Sequence, residues 1–200
     1  MNHCSVKDCN CEGFSKHIFK HDICVNCFHK SDMHLNISEE DIKYIQISKN
    51  DHLPCKIKEN IYMGGIYAAM NLEELKKVGI THVINCALNL HKFFPKFREH
   101  RNDFIYLSLS LVDDSTCDIK SSVLECIKFI DSALKNGGKV FIHCAQGISR
   151  SGSIVVSYLM YSEHIPYDKA LNIAKKGRII CNPNNNFKNQ LISMRNNMEI

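Results

Sequence analysis

From about residue 53 onward, short apolar runs alternate with stretches whose apolar positions recur every three or four residues, the pattern of strands separated by helices. Asn60–Gly64 (NIYMG), Thr81–Ala87 (THVINCA), Phe104–Leu111 (FIYLSLSL) and Lys139–Cys144 (KVFIHC) read as strands. Asn71 with Glu74 three residues later has the spacing of a capping box, opening a helix that stops near Gly79. Val123, Ile127, Ile130 and Leu134 fall on one face of a helix that ends before Gly137–Gly138. The helix after Cys144 turns Ile154, Val155, Tyr158 and Leu159 inward. Further helices are expected over Asp168–Lys176 and after Pro183, the last with Phe187, Leu191 and Met194 on its apolar side. Strands separated by helices predict an α/β fold with a mostly parallel central sheet, flanked by helices on both faces.

Residues 1–34 break this pattern. They are rich in Cys, His and Lys and too poor in aliphatic residues to build a core. Residues 35–52 read as a connector carrying a short helix from Ser38, with Glu39, Glu40 and Asp41 at the positive end of its dipole. The chain thus divides into 1–34, a small Cys/His module, 35–52, a connector, and 53–200, the main domain. Five of the eleven cysteines (Cys4, Cys9, Cys11, Cys24, Cys27) stand in the module, followed by His29 and His34. Cys-x2-Cys with further Cys and His close by is the spacing of structural zinc ligation. These seven exceed the four ligands one zinc needs, so one site with spares, or two sites recruiting His3, His17 or His21, both fit. The metal would contribute the folding energy that the stretch lacks. A module of this size more often recruits a protein partner than performs chemistry. Cys55, Cys86, Cys117, Cys126 and Cys181 read as packing or surface thiols.

The formal charge of +4 is mild and does not argue for nucleic acid or membrane, so neither is expected as a partner. The start shows no charged lead before an apolar run, and no stretch approaches the length of a membrane span. With this many thiols, the expectation is a reducing compartment, cytoplasmic or nuclear.

The chemistry concentrates between residues 140 and 153. Cys144 stands at a strand end, Arg150 six residues later, and a helix directly after. The loop Ala145, Gln146, Gly147, Ile148 and Ser149 can turn its backbone N–H groups inward at a helix N-terminus, a nest for an oxyanion. Arg150 offers a planar fork suited to two phosphate oxygens. The same positive field favours the thiolate of Cys144, the reactive form. The hydroxyls of Ser149 and Ser151 can donate to the loop or the sulfur, and His143 can order the loop by hydrogen bonding. A phosphate ester also needs a proton for its leaving oxygen, and Asp113, Asp114 and Asp118 lie in a loop after the FIYLSLSL strand.

HCAQGISRS, residues 143–151, resembles the HCxxGxxRS signature of dual-specificity protein phosphatases, within the protein tyrosine phosphatase superfamily. The likeness extends over roughly residues 53 to 192 through NLEELKKVGITHVINCA, SRSGSIVVSYLMY and NPNNNF. It implies a tyrosine-phosphatase-like fold and a phosphocysteine intermediate on Cys144. Arg150 and the loop N–H groups would hold the phosphate, with no cofactor for catalysis. In the family the acid stands six residues before an aliphatic residue that opens a helix. That spacing selects Asp113, six before Ile119, with Asp114 as the alternative. The domain has little room for the insertions that deepen the cleft of tyrosine-specific relatives. A shallow pocket would admit phosphoserine and phosphothreonine beside phosphotyrosine. Ala145, Gln146 and Ile148 stand where phosphoinositide phosphatases carry lysines. Two other readings are a phosphoprotein-binding module with little turnover and a phosphatase of a nonprotein phosphate, such as an RNA 5′ end.

Overall fold

A computed structural model describes residues 51–87 and 97–196. The Cys/His segment and the expected helix at Ser38 lie outside the described residues.

Among the described residues, five strands form one sheet: β1 (Cys55–Lys58), β2 (Ile61–Gly64), β3 (His82–Asn85), β4 (Ile105–Ser108) and β5 (Val140–His143). Their spatial order is β1-β2-β5-β3-β4. The pairings β2–β5, β5–β3 and β3–β4 are parallel, while β1 runs antiparallel to β2 at one edge. The sheet is therefore mixed, and its inner part matches the parallel arrangement expected from the alternating pattern. The periodicity passed over β1 because only Ile57 of its four residues is buried. A short edge strand with Lys56 and Lys58 facing water carries no apolar run to detect.

Register brings the carboxyl ends of the strands to one level. Gly64 and Asn85 both pair with His143, and Asn85 pairs with Ser108. Cys144 emerges one residue beyond that row, where open α/β sheets hold their ligands.

Among the described residues, six helices flank the sheet: α1 (Ile66–Met70), α2 (Leu72–Val78), α3 (Lys120–Lys135), α4 (Arg150–Glu163), α5 (Tyr167–Gly177) and α6 (Asn185–Asn196). Asn71 caps α2 by accepting the Glu74 N–H at 3.3 Å, and α2 ends at Gly79 as expected. The reciprocal half of the capping box does not form. Asn71 N–H instead donates to Ala68 O, closing α1, and the Glu74 carboxylate pairs with Lys77. On α3, Val123, Ile127 and Ile130 are buried with Cys126 and Ala133, while Leu134 sits half-buried at the margin.

The largest departure from the periodicity is α4, buried from Ser151 through Met160 on every side. It packs against α3, α5 and α6 as well as β2 and β5, so it has no solvent face. Small residues make that possible. Buried Ser153 and Ser157 return their hydroxyls to the carbonyls of Ser149 and Ile154, so neither carries an unpaired donor into the core. Among the described residues, no helix is long and apolar enough to cross a membrane.

The end of α5 lies directly on β1. A Cβ at Gly177 would overlap the Lys56 carbonyl oxygen and sit 3.0 Å from Ile57 Cα, both backbone atoms that cannot turn aside. Gly177→Ala should therefore lower the free energy of unfolding by about 1–3 kcal/mol, the cost of overpacking, although alanine is the better helix former. Denaturant titration of the two proteins checks this.

Candidate active site

The loop from Cys144 to Arg150 owes its shape to the groups around it. Each carbonyl from Ala145 to Ser149 has a donor outside the loop's concave side. Ile66 N–H donates to Ala145 O at 2.9 Å, and Asn182 N–H donates to Ile148 O at 3.1 Å. Arg178, 2% exposed, donates through Nε to Gly147 O at 2.7 Å and through a terminal nitrogen to Gln146 O at 2.8 Å. Ser149 O receives Ser153 N–H in the first turn of α4. In a planar trans peptide the carbonyl and the next N–H point in opposite directions. Pinning these carbonyls outward turns the following N–H groups inward. Gly147 N–H, on the peptide whose oxygen Arg178 holds, points at Cys144 Sγ from 3.2 Å.

Gly147 has φ +67°, in the left-handed region. A Cβ there would lie 2.5 Å from the carbonyl carbon and oxygen of Gly64. Only glycine lets the loop rest on the end of β2.

Cys144 is 1% exposed, and its sulfur also meets the Ser151 hydroxyl at 3.2 Å. Arg150 opens α4 at the helix's positive end, where its buried Nε has no hydrogen-bond partner among the described residues. That atom lies 3.6 Å from Asp113 Oδ2. Inward N–H groups, a guanidinium and a helix N-terminus converge on one small volume, so the arrangement suits a tetrahedral oxyanion held against a cysteine sulfur.

His143 does not touch the sulfur. Its Nδ1 meets Cys144 O at 3.4 Å, and its ring stacks on Phe141 and meets the edge of Phe97. Burial pushes its pKa down to about 4, so the ring is neutral near pH 7. It steadies the strand end through packing, with one long hydrogen bond.

The three aspartates occupy three different positions. Asp114 Oδ1 accepts the N–H and hydroxyl of Thr116 and the N–H of Cys117, folding back on its own loop. The Thr116 N–H first, then its hydroxyl and the Cys117 N–H, hold that carboxylate below its ordinary range. Asp118 accepts Lys120 N–H at the start of α3. Asp113 alone of the three reaches the loop. Its Oδ1 receives the Ser149 hydroxyl at 2.6 Å and the Asn184 side-chain amide at 2.8 Å, and its Oδ2 faces Arg150. Ser149 therefore serves the aspartate, whereas Ser151 serves the sulfur.

Sequence reasoning missed Arg178, Asn182 and Asn184, which shape the loop and the aspartate. They follow α5 in a short irregular stretch where no periodicity distinguishes an inward polar residue from a solvated one. One cue was available, an arginine flanked by Gly177 and the apolar pair Ile179–Ile180. Of the remaining thiols, Cys86, Cys126 and Cys181 are buried, and burial raises each above its ordinary range; Cys55 and Cys117 are half-buried. Among the described residues, no three metal-ligating side chains come together. Cys4, Cys9, Cys11, Cys24, Cys27, His29 and His34 lie outside the described residues.

Comparison with known proteins agrees with this geometry. Residues 61–197 match the family described as "Dual specificity phosphatase, catalytic domain". The chain is 33% identical over 159 residues to "Dual specificity protein phosphatase 1" of Arabidopsis thaliana, covering 80% of this chain and 77% of that one. It is 36% identical over 138 residues to "Protein phosphatase Slingshot" of Drosophila melanogaster, covering 69% of this chain but only 13% of that longer protein. Among solved structures, a human "tyrosine phosphatase-like serine/threonine/tyrosine-interacting protein" superposes with TM-score 0.68 at 30% identity, over 74% of this chain and 99% of that one.

The buried His143 ring gives stability a pH dependence. Folded, it titrates at about 4; unfolded, at its ordinary 6.5. The unfolded chain therefore binds the proton first as pH falls, so this contribution is whole above 6.5 and is lost on the way down to about 4. The loss amounts to about 3 kcal/mol at ~1.4 kcal/mol per pH unit. Unfolding titrations between pH 4 and 7 should show a shallower slope for His143→Gln than for the native chain.

Proposed function

Because the chain belongs to the dual-specificity protein phosphatase family, a family that works through a phosphocysteine intermediate, we propose that Cys144 is its nucleophile, Arg150 its phosphate grip and Asp113 its general acid. In the first step the Cys144 thiolate attacks phosphorus. The S–P bond forms as the ester P–O bond breaks, and the Asp113 proton goes to the departing tyrosine, serine or threonine oxygen. Arg150 and the inward N–H groups of residues 145–150 carry the charge on the equatorial oxygens. In the second step water attacks phosphorus and gives its proton to Asp113. The S–P bond breaks, and the Ser151 hydroxyl donates to the leaving sulfur. Inorganic phosphate departs, and catalysis draws on no cofactor.

The observation that carries this reading is the convergence of Gly147 N–H and the Ser151 hydroxyl on one sulfur, with Asp113 turned toward Arg150 at the start of the helix that follows. Cys144→Ser should abolish hydrolysis of an aryl phosphate, and Asp113→Ala should lower kcat on tyrosine phosphate by ~10²–10⁴-fold. Full activity in Cys144→Ser would sink the assignment. Phosphotyrosine, phosphoserine and phosphothreonine peptides of one sequence, compared by kcat/KM, test the breadth of substrate.

A second reading is a module that binds phosphorylated proteins with little turnover. It draws on the 30% likeness to a human protein named as phosphatase-like and interacting. Binding of a phosphopeptide without release of phosphate by the native chain would favour it.

The sequence of residues 1–34 supports a further part of the proposal. Cys4, Cys9, Cys11, Cys24, Cys27, His29 and His34 hold structural zinc, and the module recruits a protein partner inside the cell. Elemental analysis of the full chain should find about one or two zinc ions per molecule. That zinc should be lost on joint Cys24→Ser and Cys27→Ser replacement, with aryl phosphate hydrolysis retained. A full chain free of zinc would remove this part alone.

A further inference from the structure

Asp113 owes its placement to a residue from the other end of the domain. Asn184 makes four contacts, one to the acid and one to the serine that also donates to it. Its side-chain Nδ2 donates to Asp113 Oδ1 at 2.8 Å and lies 3.5 Å from Asp114 O, its Oδ1 accepts Phe187 N–H at 2.8 Å, and its backbone N–H donates to the Ser149 hydroxyl oxygen at 3.1 Å. That last bond matters because a hydroxyl has one proton to give. With Asn184 N–H on its oxygen, Ser149 directs its own proton to Asp113 Oδ1, at 2.6 Å.

Asp113 Oδ1 thus receives two donors, one from the Ser149 hydroxyl and one from the Asn184 amide. An oxygen so occupied has no room for a proton of its own that points at either donor. A proton carried by Asp113 therefore resides on Oδ2, the oxygen 3.6 Å from Arg150 Nε. Two neighbours secure the same loop. Asn186 Nδ2 donates to Cys117 O at 2.8 Å and to Asp114 O at 3.2 Å; Gln190 Nε2 donates to Cys117 O at 2.8 Å, and its Oε1 accepts Ile119 N–H.

We propose that Asn184 is the positioning residue for the general acid, reserving Oδ1 of Asp113 as acceptor so that the transferable proton is carried on Oδ2, the oxygen on the side of the phosphate-gripping arginine. This rests on Asp113 being the acid, as proposed above, and extends that reading by naming what decides which oxygen acts. Asn184 does not touch the reacting atoms. It acts through Asp113, directly by its amide and indirectly by fixing the Ser149 hydroxyl.

The test uses Asn184→Ser in the full chain. Serine keeps an acceptor for the Phe187 N–H at the start of α6, but its short side chain carries no amide to donate to Asp113. Initial rates are measured for a series of aryl phosphates whose leaving phenols run from acidic (4-nitrophenol) to weakly acidic (phenol), alongside Asp113→Asn and the double variant. A misplaced acid matters most where the leaving oxygen most needs a proton. Asn184→Ser should lose about tenfold on phenyl phosphate, a part of the ~10²–10⁴-fold a positioned acid supplies, and progressively less as the phenol becomes more acidic. The double variant should fall no further than Asp113→Asn, because the two residues act as a unit. An equal loss across the series, or no loss, in Asn184→Ser while Asp113→Asn shows the graded loss would overturn the role of Asn184 alone. An Asp113→Asn variant with no graded loss would overturn the acid, and this inference with it.

Discussion

The site rests on a constraint that belongs to the peptide bond itself: a carbonyl held on one side of the chain commits the next N–H to the other. Between Ala145 and Ser149 each carbonyl is held, by Ile66, Arg178, Asn182 and Ser153. Donors aimed into the cradle follow without any side chain lining it. This explains why a buried arginine can be important to a site it never enters. Arg178 neutralises nothing on a substrate, yet its guanidinium fixes two successive peptides. The sheet supplies the platform, since parallel register brings Gly64, His143 and Asn85 to one row and delivers Cys144 just past it.

Environment separates one thiol from its neighbours. Cys86, Cys126 and Cys181 are as buried as Cys144, and burial keeps each of them protonated and inert. Cys144 differs in accepting a backbone N–H and meeting a hydroxyl, two polar partners arranged around a sulfur at a helix N-terminus. The same division appears among the aspartates of the neighbouring loop. Asp114 spends its oxygen on its own turn and Asp118 on a helix start, which leaves Asp113 to face Arg150.

Much of this was legible in the chain. Four strands and the main helices follow from apolar spacing, and the cysteine-to-arginine loop follows from its own residues. The illegible parts share a physical character. β1 is too exposed to show a pattern, and α4 is too enclosed to show a face. Arg178 and Asn184 act through hydrogen bonds to residues more than 30 positions away, and no local period records such a pairing. His143 reads from the sequence as a residue that orders the loop by hydrogen bonding; folded, it makes one long bond to Cys144 O and otherwise packs against Phe141 and Phe97, contacts that its position beside Cys144 does not disclose.

Five of the donors that shape the loop and the aspartate's segment share a place in the chain: Arg178, Asn182, Asn184, Asn186 and Gln190 all follow α5. A nascent polypeptide that has left the ribosome only through α4 already carries the sulfur, its arginine and the donors of Ile66, Ser149 and Ser153, but not yet those that hold the carbonyls of residues 146–148 or the Asn184 amide on Asp113. Synthesis from the amino end therefore orders events, so that competence arrives with the segment after α5 and not with the nucleophile.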